Sequence, residues 1–167
     1  MSAISVSEDT LRTLKNLASI NQSLLFTSGN TLSTINSSNN VLCTAQITED
    51  LPAEFGIYDL NNLLGTLSLF ANPQLDINSS DGYMTIRDGE NTGTTVKYTF
   101  ASRNLIKVPP KNHIDLPSED VSFTLDADTL AKLQKASSVM GLQYLFVNGS
   151  EGVITVELGK PSDANSN

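Results

Sequence analysis

Tryptophan is absent from this 167-residue chain, cysteine and histidine occur once each, and aromatic residues make up only 6%. With Cys43 alone, neither a disulfide framework nor a cysteine-rich zinc site can form within one chain, which fits a reducing compartment. With His113 alone, most histidine-based triads and dyads are excluded, and that residue stands between prolines in a stretch unsuited to catalysis. No apolar run approaches the ~18 residues needed to span a bilayer. The first residues, Met1 to Asp9, lack the basic and apolar regions of a secretory signal, so the expectation is a soluble intracellular protein. Positive charge is scarce as well: 10 Lys and Arg stand against 18 Asp and Glu, a formal net charge of −8. The molecule as a whole repels nucleic acid and anionic membrane. An acidic total still admits a local basic surface, because phosphate binding depends on where the cations sit.

Other catalytic signals are equally thin. No HExxH is present. Gly152 to Lys160 has only a superficial likeness to a phosphate loop: the spacing is wrong, and Pro161 stands where a Ser or Thr is needed on magnesium. Asp76, Asp81 and Asp88 fall in or near hairpin turns, where Asp is an ordinary turn-former. No carboxylate pair stands out as an acid–base couple. No catalytic residue, metal or cofactor is expected, and the chain is read as one that binds or assembles.

What is present is repetition. Residues 7–20 and 126–139 align at a shift of 119, where Asp9, Thr10, Leu11, Leu14 and Ser19 meet Asp128, Thr129, Leu130, Leu133 and Ser138. The flanks agree in kind: Ile4 and Val6 precede one copy, Phe123 and Leu125 the other. Leu25-Phe26 and Leu145-Phe146 follow them after a one-residue slip. Such spaced self-similarity points to duplication.

Both copies read as amphipathic helices. Ser7 and Asp126 are N-caps with acids in the first turn. Leu11, Leu14 and Ala18 share one face, with Arg12, Lys15, Asn16 and Ser19 on or beside the other. In the second copy Leu130, Leu133 and Met140 are expected to face inward and Lys132 and Lys135 outward, with Gly141 ending the helix. Between the copies, Leu24 to Ile47 reads as a three-strand meander with Cys43 on its apolar side. A short strand at Phe55–Tyr58 leads into a helix capped by Asp59. Leu60, Leu63, Leu64 and Leu67 line its buried face, and Asn61, Asn62, Gly65 and Ser68 its polar face. Gly65 suggests close approach of another backbone. Ser79-Ser80-Asp81-Gly82 is a hairpin signal, and Val96–Phe100 another strand. A further hairpin is expected with its turn at Asn148-Gly149-Ser150. The fold class is α+β: doubled β-α-β-β-β units, antiparallel sheets with the helices on one face. The expected boundaries are a complete domain at 1–108, a Pro-rich connector at 109–120, the first half of a second domain at 121–160 and a disordered tail at 161–167. The shortness of that second domain reads as a fragment of a longer chain.

At this point Thr13 to Asn21, the long run Ile57 to Leu69 and Asp81 to Asp88 closely resemble the sliding clamp (DNA polymerase processivity factor) of T-even-type tailed bacteriophages. The likeness covers most of residues 8–158 and weakens over 121–158. It implies a DNA-clamp fold with two domains per subunit, three subunits closing head to tail around duplex DNA, sheets outside and helices lining the hole. It also implies loading by an ATP-driven clamp loader, tethering of the phage DNA polymerase, a role in late transcription, and residence in the cytoplasm of the infected bacterial host, with no membrane partner. The expected phosphate contacts are Arg12, Lys15, Asn16, Lys132 and Lys135, with Asn61 and Asn62 as polar channel contacts. A homotrimer is expected where the second domain is complete. The alternative is a truncated clamp-like protein that caps or inhibits clamp assembly, or binds another replication protein through an unpaired sheet edge.

Overall fold

The computed structural model describes residues 3–89, 93–111, 118 and 121–160. The chain divides into two compact units, Met1–Ile114 and Asp115–Asn167. His113, connector residues 112–117 and 119–120, and the tail 161–167 lie outside the described residues.

The first unit runs β1 (Ile4–Ser5), α1 (Glu8–Ile20), β2 (Leu24–Phe26), β3 (Gly29–Ile35), β4 (Leu42–Leu51), and then β5 (Phe55–Ile57), α2 (Leu60–Leu67), β6 (Pro73–Asn78), β7 (Tyr83–Asp88), β8 (Thr95–Thr99). This is the doubled β-α-β-β-β order. The halves are knitted together by a reciprocal exchange. The first strand of each half leaves its own half and pairs antiparallel with the second strand of the other: Ile4 opposes Leu75, and Gly56 opposes Leu25. Both pairings lie three residues before a helix cap, at Ser7 and Asp59. Neither half is therefore complete alone.

The antiparallel order β1-β6-β7-β8 buries one face and leaves the other half-exposed. Leu75, Ile77, Met84 and Ile86 alternate inward, as expected of a sheet solvated on one side. The helices cover the inner face. Leu14, Leu17 and Ala18 of α1 and Leu60, Leu63 and Leu67 of α2 join a single apolar cluster with Leu32, Ile47 and Phe55. Cys43 is half-buried against that cluster. Val41, expected within the strand, is instead exposed just before it.

The α1 cap reaches across the fold. The Ser7 hydroxyl accepts from the Thr10 N–H, while the Ser7 N–H donates to Glu49 of β4 at 2.6 Å and the Thr10 hydroxyl donates to its other carboxylate oxygen. Burial works against the charge on Glu49, but the bonds from Thr10 and Ser7 outweigh it and hold its pKa below the ordinary carboxylate value. A lowered folded-state pKa contributes stability above the unfolded-state pKa, and that stability is lost as pH falls through the folded value. Glu49→Gln is expected to cost about 1–2 kcal/mol near pH 7. The difference from wild type should shrink in denaturant titrations repeated below pH 4.5, the ordinary value. A gap that stays constant with pH would contradict it.

Gly65 differs from expectation. A Cβ placed there would meet nothing within 4 Å, so no backbone among the described residues approaches it. Exposed on α2, it weakens the helix, and Gly65→Ala is expected to stabilise the unit by roughly 0.8–1 kcal/mol, read as a raised denaturation midpoint.

The second unit contains α3 (Ala127–Met140), β9 (Tyr144–Ser150) and β10 (Val153–Gly159). Asp126 caps α3, and Gly141 closes it in the left-handed region at φ 64. The hairpin turn lies at Glu151-Gly152, both at positive φ, not at Asn148-Gly149-Ser150. Gly149 sits within β9, and a Cβ there would come within 2.9 Å of Val121. The glycine thus serves packing rather than a turn. The inward facing expected of α3 is also corrected. No α3 residue is buried, and Leu130 and Met140 remain 43% and 64% exposed. The helix has its apolar stripe, but the described residues of its unit supply no second layer to cover it.

Candidate nucleic-acid interface

A helix turns by about 100° per residue, so Asp9, Arg12, Lys15, Asn16 and Ser19 share the side of α1 opposite its buried leucines. All five are exposed. Arg12 is ion-paired to Asp9 at 2.7 Å, with both side chains about three-quarters exposed. Such a pair is weak and screened, yet it offsets part of the cation's field. The expectation for Arg12 was a phosphate contact, and the spacing of three residues was there to signal its pair with Asp9.

α2 packs against α1 and bears no charge. Asn61 and Asn62 are exposed in its first turn, where their backbone N–H groups donate to Asp59 at 2.9 and 3.1 Å. The first unit thus brings Arg12, Lys15 and Asn16 onto one helix and Asn61 and Asn62 onto its neighbour. Lys132 and Lys135 belong to the second unit, exposed and one turn apart on α3. At its cap the Thr129 N–H, and then the Thr129 hydroxyl, hold the Asp126 carboxyl below its ordinary range.

The remaining cations differ in their surroundings. Arg87 pairs with Asp76 at 3.1 Å, Arg103 with Glu54, Lys97 lies 3.8 Å over the Tyr83 ring, and Lys107 donates to the Ser37 carbonyl. Among the described residues, by contrast, Lys15, Lys132 and Lys135 have no ion pair or hydrogen bond. Lys111, off the helices, is likewise unengaged. Unpaired ammonium groups on long stems suit loose phosphate contact without base readout.

Sequence reading missed a shallow depression lined by Tyr58, Asp59, Asn62, Lys97 and Tyr98, where β8 meets the start of α2. Its lining residues lie far apart in sequence, which hides it from local pattern. The Tyr98 hydroxyl donates to the Asp59 carbonyl there at 3.2 Å. Asp76, Asp81 and Asp88 do not assemble: Asp76 engages Arg87 and Asp88 accepts from the Ala71 N–H. Among the described residues no three metal-ligating side chains converge.

The family model described as DNA polymerase processivity factor matches residues 7–104. The sliding clamp of Vibrio phage KVP40 is 28% identical over 156 residues, 92% of this chain and 68% of that protein. The sliding clamps of Escherichia phage RB69 and Enterobacteria phage T4 are each 28% identical over 151 residues, 90% of this chain and 64% of theirs. The chain therefore spans about two thirds of the length of the curated relatives it matches. With more than half of its residues matched by the family model, the chain belongs to the DNA polymerase processivity factor family.

Proposed function

We propose that the chain serves as a sliding clamp of a phage replisome, a non-enzymatic ring around duplex DNA that tethers the phage DNA polymerase. The observation that carries this reading is the placement of unpaired lysines. In a chain of net charge −8, Lys15, Lys132 and Lys135 stand free on helix faces, while most of the described cations elsewhere are engaged locally. Cations along a hole attract phosphates, and an acidic exterior keeps DNA off the outside. Few contacts per subunit permit sliding, since each phosphate contact adds to affinity and to salt dependence. Arg12, Asn16, Asn61 and Asn62 would add weaker polar contacts on the helices of the first unit. Copies joined head to tail close the ring, three where each subunit carries two complete domains. An ATP-driven loader places it on DNA in the cytoplasm of the infected host, where it also supports late transcription. In primer extension with the phage polymerase and loader, the chain should lengthen the products of single binding events. Unchanged product length would contradict the tethering.

A further inference from the structure

We propose that Asp9 is a positioning residue that limits how tightly the first unit holds duplex DNA, by competing with phosphate for the Arg12 guanidinium. The inference rests on the DNA reading above and adds to it the residue that sets the grip of α1. The Arg12 Nη2 donates to the Asp9 carboxylate at 2.7 Å. Both side chains are about three-quarters exposed, on the side of α1 that also carries Lys15 and Asn16. A carboxylate and a phosphate offer a guanidinium the same kind of charged acceptor. Asp9 therefore occupies Arg12 in the absence of DNA, and a phosphate must displace it to be held.

The arrangement is particular to α1. Its repeat partner α3 keeps the acid, as Asp128, but has Ala131 at the position of Arg12. Lys132 and Lys135 of α3 have no ion pair among the described residues. The usual task of a first-turn acid is to complement the helix dipole. In α1 that task is also served by Glu8, which is exposed and engages no cation among the described residues. The charge of Asp9 is thus left for Arg12. Because the pair is open to water, it is weak and exchanges readily. Arg12 meets a passing phosphate and returns to Asp9 once the phosphate has moved on. A contact surrendered at every step lowers the hold on any one phosphate, as travel along DNA requires.

A double-mutant cycle on the full chain tests this, with a short duplex titrated at several salt concentrations. Every variant carries Glu8→Gln, because Glu8 lies four residues before Arg12 and would otherwise take the place of Asp9. With Arg12 present, Asp9→Asn should tighten duplex binding about three- to tenfold near 0.1 M salt and steepen the salt dependence by about one ion. With Arg12→Gln, the same change should tighten binding less than about twofold and leave the salt dependence as it was. Circular dichroism checks that α1 stays folded, and Asp9→Ser repeats the test with a smaller side chain. Equal tightening in both backgrounds overturns the proposal, since Asp9 would then act by its charge alone and not through Arg12. No tightening with Arg12 present overturns it too. Lys15→Gln, which should weaken binding, reads the DNA contact separately. If it weakens binding while Asp9→Asn does nothing, only the role of Asp9 falls; if neither changes binding, the DNA reading falls with it.

Discussion

Changing Arg12, Lys15, Lys132 and Lys135 together to Glu is expected to abolish measurable association with duplex DNA while leaving the fold intact. All four are exposed, and among the described residues only Arg12 has a charged partner, the equally exposed Asp9. None supports the apolar core, so thermal unfolding should move little. Electrostatics should change greatly, because each chain replaces four cations with four anions on the faces assigned to the phosphates. A loss of at least about 100-fold in affinity is expected near 0.1 M salt, together with collapse of the salt dependence. Single variants refine the expectation. Lys15→Gln should lower the salt slope more than Arg12→Gln, because Asp9 already offsets Arg12. Lys111→Glu, exposed but off the helices, should do little. A protein that caps rings rather than encircling DNA would tolerate the fourfold change.

Phe55→Ala is expected to be the most destabilising single change in the first unit. The Phe55 ring is 5% exposed and stacks between Phe26 at 4.7 Å and Phe100 at 4.8 Å. It also sits in β5, the strand that the second half lends to the first, directly opposite Phe26. Truncation removes both stacks and leaves a void at the junction of the halves. The expected cost is about 3–5 kcal/mol, a large share of the 5–15 kcal/mol typical of a domain. Phe55→Leu, which keeps most of the volume, should cost clearly less. Denaturant titration reads both. A loss below about 1 kcal/mol for the alanine variant would mean that the halves are held together elsewhere.

These two changes mark what could and could not be read from sequence. The helices were legible because caps and apolar spacing are local: Ser7, Asp59 and Asp126 cap as expected, and Leu14, Ala18, Leu60, Leu63 and Leu67 are buried. The alternation through Leu75, Ile77, Met84 and Ile86 gave the sheet in the same way. The exchange of β1 and β5 was not legible, since a strand of two or three residues carries no sign of which distant strand it joins. Glu49 as an acceptor for the α1 cap was hidden for the same reason, being 42 residues from Ser7. Asn148-Gly149 misled, because a glycine kept for packing against Val121 looks in sequence like a glycine kept for a turn. The apolar stripe of α3 was read correctly as a pattern, but a pattern does not say whether a covering layer is present. Among the candidate contacts, exposure of the lysines was predictable from helical spacing. Their freedom from partners, unlike Arg87 and Arg103, required the fold.

Encirclement of DNA is tested most directly by topology. The chain is loaded on a closed or nicked circular duplex with a clamp loader and ATP, freed of unbound protein, and followed before and after a single cut linearises the DNA. A sliding ring should stay on the circle and be lost from the linear form through its ends. Equal retention on both forms, or equal loss from both, would contradict a clamp and leave only ordinary surface binding.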